Sequence, residues 1–452
     1  MSDEITLGGH AKAVLALGVP LVGGNLAQFA ISITDTLMLG WYDVSALAAQ
    51  VLGGTIFFVL FIFGSGLAMA VMPAVAEAEA LGDDTRVRRV TRMGLWASLA
   101  FGIACLPVFL FARPLLWLLG QKPTLIELAA QYMQIAGFGI LFALIGMVLK
   151  SYLSALEHTG VVLWSSVFAA LLNGIINYAL IFGNWGAPEM GIRGAATASL
   201  IVQIVMFAIL LGYVIRVLPR HRLFQRIWRV DGPALWLVLR LGTPIGLTSL
   251  AEVSLFAASS VMMGWLGAVP LAAHGIVLQI ASAVFMVHLG LASVATVRSG
   301  RAVGRRDRPG LKQGALVVVA FSMMAAFLSV VLFLAVPEWL VGLFLDPADP
   351  QRDTVLKTGK LLLAAAALFQ LVDAAQVMAL GLLRGVQDTR VPMLIAVLAY
   401  WVIGLPASYA LGFLLGFQGV GVWLGLALGL AVAAGLLMWR FWTAGLTRAI
   451  PA

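Results

Sequence analysis

Residues 391–439 contain no Asp, Glu, Lys or Arg, and neither do residues 44–76. Between 241 and 297 the only residue of these types is Glu252. A helix crosses the hydrocarbon core of a bilayer with about 20 apolar residues, so runs of this length commit the chain to a membrane. Twelve spans are predicted, centred near residues 27, 59, 102, 140, 171, 204, 250, 285, 324, 371, 402 and 430. The runs are continuously apolar instead of alternating in short segments, which excludes a closed β-barrel. Composition agrees, with 62% hydrophobic residues and 11% charged, against roughly 25% charged in soluble domains. The start, MSDEITLGGHAKA, has neither the apolar core nor the small-residue cleavage site of a signal peptide, so the first span is expected to be retained. Cys105 is alone, which leaves no disulfide framework and no thiolate metal cluster; it reads as a small buried hydrophobe.

The chain repeats itself. Residues 18–50 align without a gap onto 242–274, with 10 of 33 positions identical, among them Gly18 and Pro20 with Gly242 and Pro244, and Gly40-Trp41 with Gly264-Trp265. The offset of 224 pairs the first span with the seventh. Six spans is an even number, so both halves insert in the same orientation, as in parallel-repeat transporters. The expected fold is therefore an all-α integral membrane protein of twelve transmembrane helices, in two six-helix lobes, 1–225 and 226–452. The 28 Lys and Arg divide 22 to 6 between the two sides of the membrane. Under the positive-inside rule this puts both termini and the arginine-rich linker 216–240 in the cytoplasm. The net charge of +8 is thereby explained as topology, and nucleic acid is excluded as a partner.

Three acids interrupt the apolar spans: Asp35, Glu252 and Asp373. A carboxylate in hydrocarbon costs roughly 2.5–3.5 kcal/mol on insertion scales, and such residues usually bind or carry something. Glu252 aligns with Gln28 and Asp35 with Ser259, so the first and seventh spans each carry one acid, seven residues apart in register. Seven residues is nearly two turns, with about 20° of drift, which puts the two acids on the same face of equivalent helices at different depths. Lys150 and Arg384 sit near helix ends and are expected to snorkel, leaving all three acids without a basic partner. Unpaired in hydrocarbon, they must take up a proton or a cation for part of the time. Asn173 and Asn177 share one face of the fifth span, with Thr197 and Gln203 in the sixth; these groups either complete a cation or proton site with a carboxylate or make interhelical hydrogen bonds. His274 and His288 lack metal-ligand companions and read as packing residues. Pro20 and Pro244, early in matching helices, each remove a backbone hydrogen bond and permit a bend.

TDTLMLG in the first span, PIGLTSLAEVSLF in the seventh and LVDAAQVMALGLLRG in the tenth resemble the multidrug and toxic compound extrusion family, in its NorM-like branch. LNGIINYALIFGNWGAPEMGIRGAA and AYWVIGLPASYALG extend the likeness over nearly the whole chain. The resemblance implies a monomer in a bacterial inner membrane that exports organic, mostly cationic compounds by alternating access, against a gradient of Na⁺ or H⁺, with no other cofactor. It implies a cation site at Glu252 and Asp373, the one place where a metal ion, Na⁺, is expected. Asp35 would belong to a second site in the N-terminal lobe, near Asn173 and Asn177. Where some relatives carry a tyrosine four residues before the tenth-span acid, this chain has Phe369, which removes an oxygen ligand for Na⁺. The competing readings are a lipid-linked oligosaccharide flippase of the same superfamily, without the extra spans or cationic cavity it would need, and a membrane-embedded enzyme, without a cluster of acid, base or metal-ligand residues.

Overall fold

The computed structural model describes residues 6–347 and 350–450; residues 1–5, which open the N-terminal segment read above, lie outside them. Among the described residues, eleven helices are long and apolar enough to cross a membrane. They are α1 (Leu7–Tyr42), α2 (Val44–Ala80), α3 (Asp84–Leu110), α5 (Thr159–Phe182), α6 (Ile192–Val217), α7 (Gly232–Leu266), α8 (Ala268–Gly304), α9 (Arg308–Ala335), α10 (Arg352–Gly385), α11 (Arg390–Leu414) and α12 (Gln418–Gly445). The remaining span, α4, is a broken one made of Pro123–Ala136 and Gly139–Ala155, which meet at 43°. Each lies over its expected centre.

Aspartates that the spans exclude cap the helices that follow. Asp83 accepts a hydrogen bond from the Arg86 amide at 2.9 Å, and Asp307 from the Gly310 amide at 2.8 Å. These two caps are repeat equivalents at the offset of 224, and each satisfies a backbone donor that a helix start leaves orphaned. Asp43 caps α2 in the same way.

The compact units differ from the two halves. One comprises Gly23–Gly246, and the other joins the chain through Val22 to the chain from Leu247 onward. Each break falls inside a continuous helix, α1 or α7, two residues after the matched Pro20 or Pro244. The sequence division at 225/226 followed the charged linker, whereas compactness follows the packing of helix halves. The linker itself is held to α3 of the first unit: Arg92 donates to the carbonyls of Gln225 and Arg226 at 3.2 and 3.0 Å, the Trp96 indole to that of Ile227 at 2.7 Å, and Arg89 pairs with Asp231. That pairing holds the Asp231 carboxyl below its ordinary range.

At one end of this unit His221 is fully buried between Tyr152 of α4, Glu79 at 3.5 Å and Asp84 at 3.3 Å. Glu79, Asp84 and His221 lie within metal-ligand reach of one another. Arg220, however, already bonds both Glu79 and His221, so the protein itself brings a cation to this cluster.

In the second unit, α11 carries two wide π-helical turns, Ala399–Gly404 and Ala410–Leu414, on either side of Pro406. Proline has no N–H to give the ladder, and wide turns are a common way to absorb such an interruption. The reshaped helix lies on Gly421, Gly425 and Gly429 of α12, a small-residue stripe that permits close backbone approach. A β-carbon at Gly425 would lie 2.2 Å from the Ser408 amide nitrogen.

Two outcomes follow. Gly425→Val should destabilise the protein by about 1–3 kcal/mol through overpacking, seen as a lower thermal midpoint in detergent, whereas Gly435→Ala, with open space around it, should not. Burial holds the His221 imidazole below its usual 6.5, so the unfolded chain binds this proton more readily than the folded one. Its stabilising contribution is complete above pH 6.5 and is lost as pH falls below that value. The fall in thermal midpoint between pH 7.5 and 5.5 should shrink in His221→Gln; an unchanged fall would show that another group governs it.

Candidate functional site

Asp35 is buried in the first unit on α1 and is fully supplied with donors. Asn173 and Asn177, one turn apart on α5, donate to its Oδ1 at 2.9 and 2.6 Å. Ser199 of α6 donates to its Oδ2 at 3.3 Å, and Asn177 also bonds Asn173 at 3.2 Å. The expected grouping of Asp35 with both asparagines is therefore present. Thr197 is not part of it, because its hydroxyl is spent on the Arg193 carbonyl of its own helix. Ser199, two residues further round, takes that position. Three neutral donors stabilise an ionised carboxylate without any counter-ion.

Lys150 corrects another expectation. Instead of snorkelling, it is buried and donates at 2.5 Å to Gln28, the repeat equivalent of Glu252. Gln28 lies seven residues before Asp35, about 10 Å along the helix. This unit thus holds a buried acid, Asp35, and a buried base, Lys150.

The second unit is built differently. Glu252 of α7 and Asp373 of α10 lie within electrostatic range of each other. Neither receives a hydrogen bond from any described residue, and Glu252 Oε1 and Asp373 Oδ1 are buried with no partner at all. Two glutamines that sequence reasoning missed flank Asp373 on α10, three residues to either side. Gln370 spends its amide N–H on the Ala281 carbonyl at 3.3 Å, and Gln376 gives its own to the Tyr400 hydroxyl at 2.6 Å. Their carbonyl oxygens, Gln370 Oε1 and Gln376 Oε1, are likewise buried and unbonded. The i, i+3, i+6 spacing around Asp373 was a usable signal, since each step of three residues keeps a side chain within about 60° of the last on a helix. Arg384, at the end of α10, is half-buried and within electrostatic range of Glu252, so it too does more than snorkel.

Phe369 faces none of this chemistry. It packs edge-on against Phe256 and Trp423, with ring centroids 5.8 and 5.4 Å away. His274 joins the same aromatic group through Trp423 and bonds Ser260 at 3.1 Å, while His288 bonds Ser322 at 2.9 Å. Each histidine thus hydrogen-bonds a serine within the bundle.

A duplicated helical bundle with buried acids inside its spans points to a transporter. The MatE family model matches residues 20–179 and again 244–410, two blocks whose starts are separated by the same offset of 224. The chain belongs to the MatE family. It is 48% identical over 434 residues to a probable multidrug resistance protein NorM of Rhizobium meliloti (strain 1021), covering 96% of this chain and 93% of the relative. A second relative of the same description, from Agrobacterium fabrum (strain C58 / ATCC 33970), is 45% identical over the same coverage. Among solved structures, a MATE protein in complex with MaL6 superposes with a TM-score of 0.88 at 19% identity, over 99% of this chain and all of that one. An outward-facing multidrug resistance MATE transporter of the MOP superfamily gives 0.86 at 19% identity, covering 97% and 96%. At such identities the superpositions speak for the fold alone. This MatE protein is thus a multi-pass membrane transporter for multidrug efflux, and not an enzyme.

The two acid environments predict opposite responses to single substitutions. Asn177→Ala strips a donor from a buried carboxylate and should lower stability by about 1–3 kcal/mol. Asp373→Asn removes a buried charge that nothing in the protein solvates and should leave the thermal midpoint unchanged or raised. Equal losses in the two variants would show that Asp373 is as well satisfied as Asp35.

Proposed function

We propose that this transporter exchanges organic, mostly cationic compounds for one monovalent cation, Na⁺ or H⁺, taken up at Glu252 and Asp373. The observation that carries the reading is the contrast in hydrogen bonding: Asp35 has three protein donors, and the Glu252–Asp373 pair has none. Two ionised carboxylates in a low-dielectric lobe raise each other's proton affinity. With the Arg384 guanidinium nearby, the fully ionised set carries a net charge of −1, which a single proton or Na⁺ neutralises. The Gln370 and Gln376 carbonyls supply neutral oxygens of the kind a hard monovalent cation takes. They make up for the oxygen that Phe369 lacks and weight the reading toward Na⁺.

Coupling follows if drug and ion compete. A positively charged compound is drawn to the same negative potential, and whichever species neutralises the acids biases the packing of the helices around them. A ligand drives such a switch only through different affinity for the two packings. Pro20 and Pro244, each two residues before the break between compact units, are the natural places for α1 and α7 to bend. The side chains at Asp35, Asn173 and Asn177 form a second polar centre, with the Asp35 carboxylate held by neutral donors, that substrate or proton reaches in the other unit. The 22 to 6 division of Lys and Arg supports cytoplasmic termini in a bacterial inner membrane, with the protein acting as a monomer.

The test is efflux of a planar organic cation from reconstituted vesicles clamped in voltage, with Na⁺ and pH gradients imposed separately. An inward Na⁺ gradient at fixed pH should drive efflux, and Asp373→Asn should abolish it at normal protein levels. A response to the pH gradient alone would leave the shared-proton version and remove Na⁺; full efflux by the Asn variant would end the coupling role of Asp373.

A further inference from the structure

A groove of about 630 Å³ opens at one end of the second unit, lined by Arg308, Pro309, Lys312, Trp442 and Leu446. That volume falls within the roughly 300–1,000 Å³ of small-molecule sites. Two stripes form it. Arg308 and Lys312 are one turn apart at the start of α9; Trp442, in the last turn of α12, lies one turn before Leu446, the first residue past that helix.

The charges in the groove are free to meet a ligand. Arg308 and Lys312 have no carboxylate partner among the described residues, whereas Arg440, two residues before Trp442, is already paired with Asp388 at 2.7 Å. Asp307, next to Arg308 in sequence, is engaged in capping α9 through the Gly310 amide. What remains is a cationic rim over an apolar floor.

The place of the groove in the fold says what would fill it. α9 and α12 are both candidate spans, and the groove lies where one begins and the other ends, at the level of lipid headgroups. The basic stripe continues along α9 as apolar surface: Leu316, one turn beyond Lys312, is 52% exposed, followed by exposed Met324, Phe327 and Leu328. Cations at the top, an indole beside them and an exposed aliphatic track below match the phosphate, the glycerol junction and the acyl chain of a phospholipid.

We propose that this groove binds an anionic phospholipid, with Arg308 and Lys312 holding the headgroup phosphate, Trp442 and Leu446 covering the glycerol junction, and an acyl chain lying along Leu316. The site is separate from the acids that handle the coupling ion, and it stands whether or not those acids carry Na⁺.

Native mass spectrometry of the full-length protein released from detergent tests it, using phosphatidylglycerol, phosphatidylcholine and soluble glycerol 3-phosphate as probes. Phosphatidylglycerol should be retained and the other two should not. Each Lys or Arg near an anionic surface strengthens binding about fivefold, so Arg308→Gln with Lys312→Gln should weaken retention about 30-fold. Lys312→Gln alone, at an exposed position that folding does not depend on, should weaken it about fivefold. Arg305→Gln with Arg306→Gln removes the same net charge from outside the groove and should change retention far less. Equal retention of phosphatidylcholine, equal binding of glycerol 3-phosphate, or an equal loss in the Arg305 and Arg306 control would each overturn the proposal.

Discussion

Hydrocarbon offers a buried polar group no water, so every donor and acceptor inside this protein must be matched by another part of the chain or by something brought in from outside. The helices answer that demand for the backbone. Aspartates at 43, 83 and 307 answer it at helix starts, where amides would otherwise be orphaned. The chain satisfies some side chains and leaves others open, and the buried acids fall on both sides of that line. Asp35 sits within a complete set of neutral donors, and Lys150 has Gln28. Glu252, Asp373, Gln370 and Gln376 each hold a buried oxygen that no described residue bonds.

This asymmetry is the more telling because the units come from a duplication. The repeat set the same helix scaffold twice, as the paired family matches at 20–179 and 244–410 show. Gln28 and Glu252 occupy equivalent places, yet one accepts from a lysine within its own unit and the other accepts from nothing. The duplicated scaffold thus carries one carboxylate with three side-chain donors and a pair of carboxylates that no described residue donates to. The aromatic group of Phe256, Phe369, Trp423 and His274 packs apolar surface beside that centre, which lowers the local dielectric and strengthens whatever electrostatic attraction the acids exert.

The same constraint shapes the packing. Helix backbones approach closely only where side chains are absent, as at Gly421, Gly425 and Gly429 under α11. α11 in turn departs from regular geometry around Pro406 and holds Tyr400 where Gln376 can reach it. A proline and a glycine stripe far apart in sequence thus fix the hydroxyl that occupies the Gln376 amide and frees its carbonyl oxygen.

The sequence by itself determined the membrane class, the twelve spans, the repeat and the three intramembrane acids, because length of apolar run and absence of charge are local properties that hydrocarbon selects strongly. It also brought Asn173 and Asn177 to Asp35, through four-residue spacing on one helix and the family likeness. The tertiary structure alone decided what depends on which helices touch. Ser199 and not Thr197 completes the Asp35 shell, since residues two apart on a helix face different neighbours. Lys150 turns inward because a repeat-related glutamine is there to accept its hydrogen bond. The compact units break two residues after Pro20 and Pro244, inside helices that hydropathy reads as uninterrupted. Whether a buried carboxylate is satisfied is a property of the groups around it in space, and no spacing along a single chain records their directions.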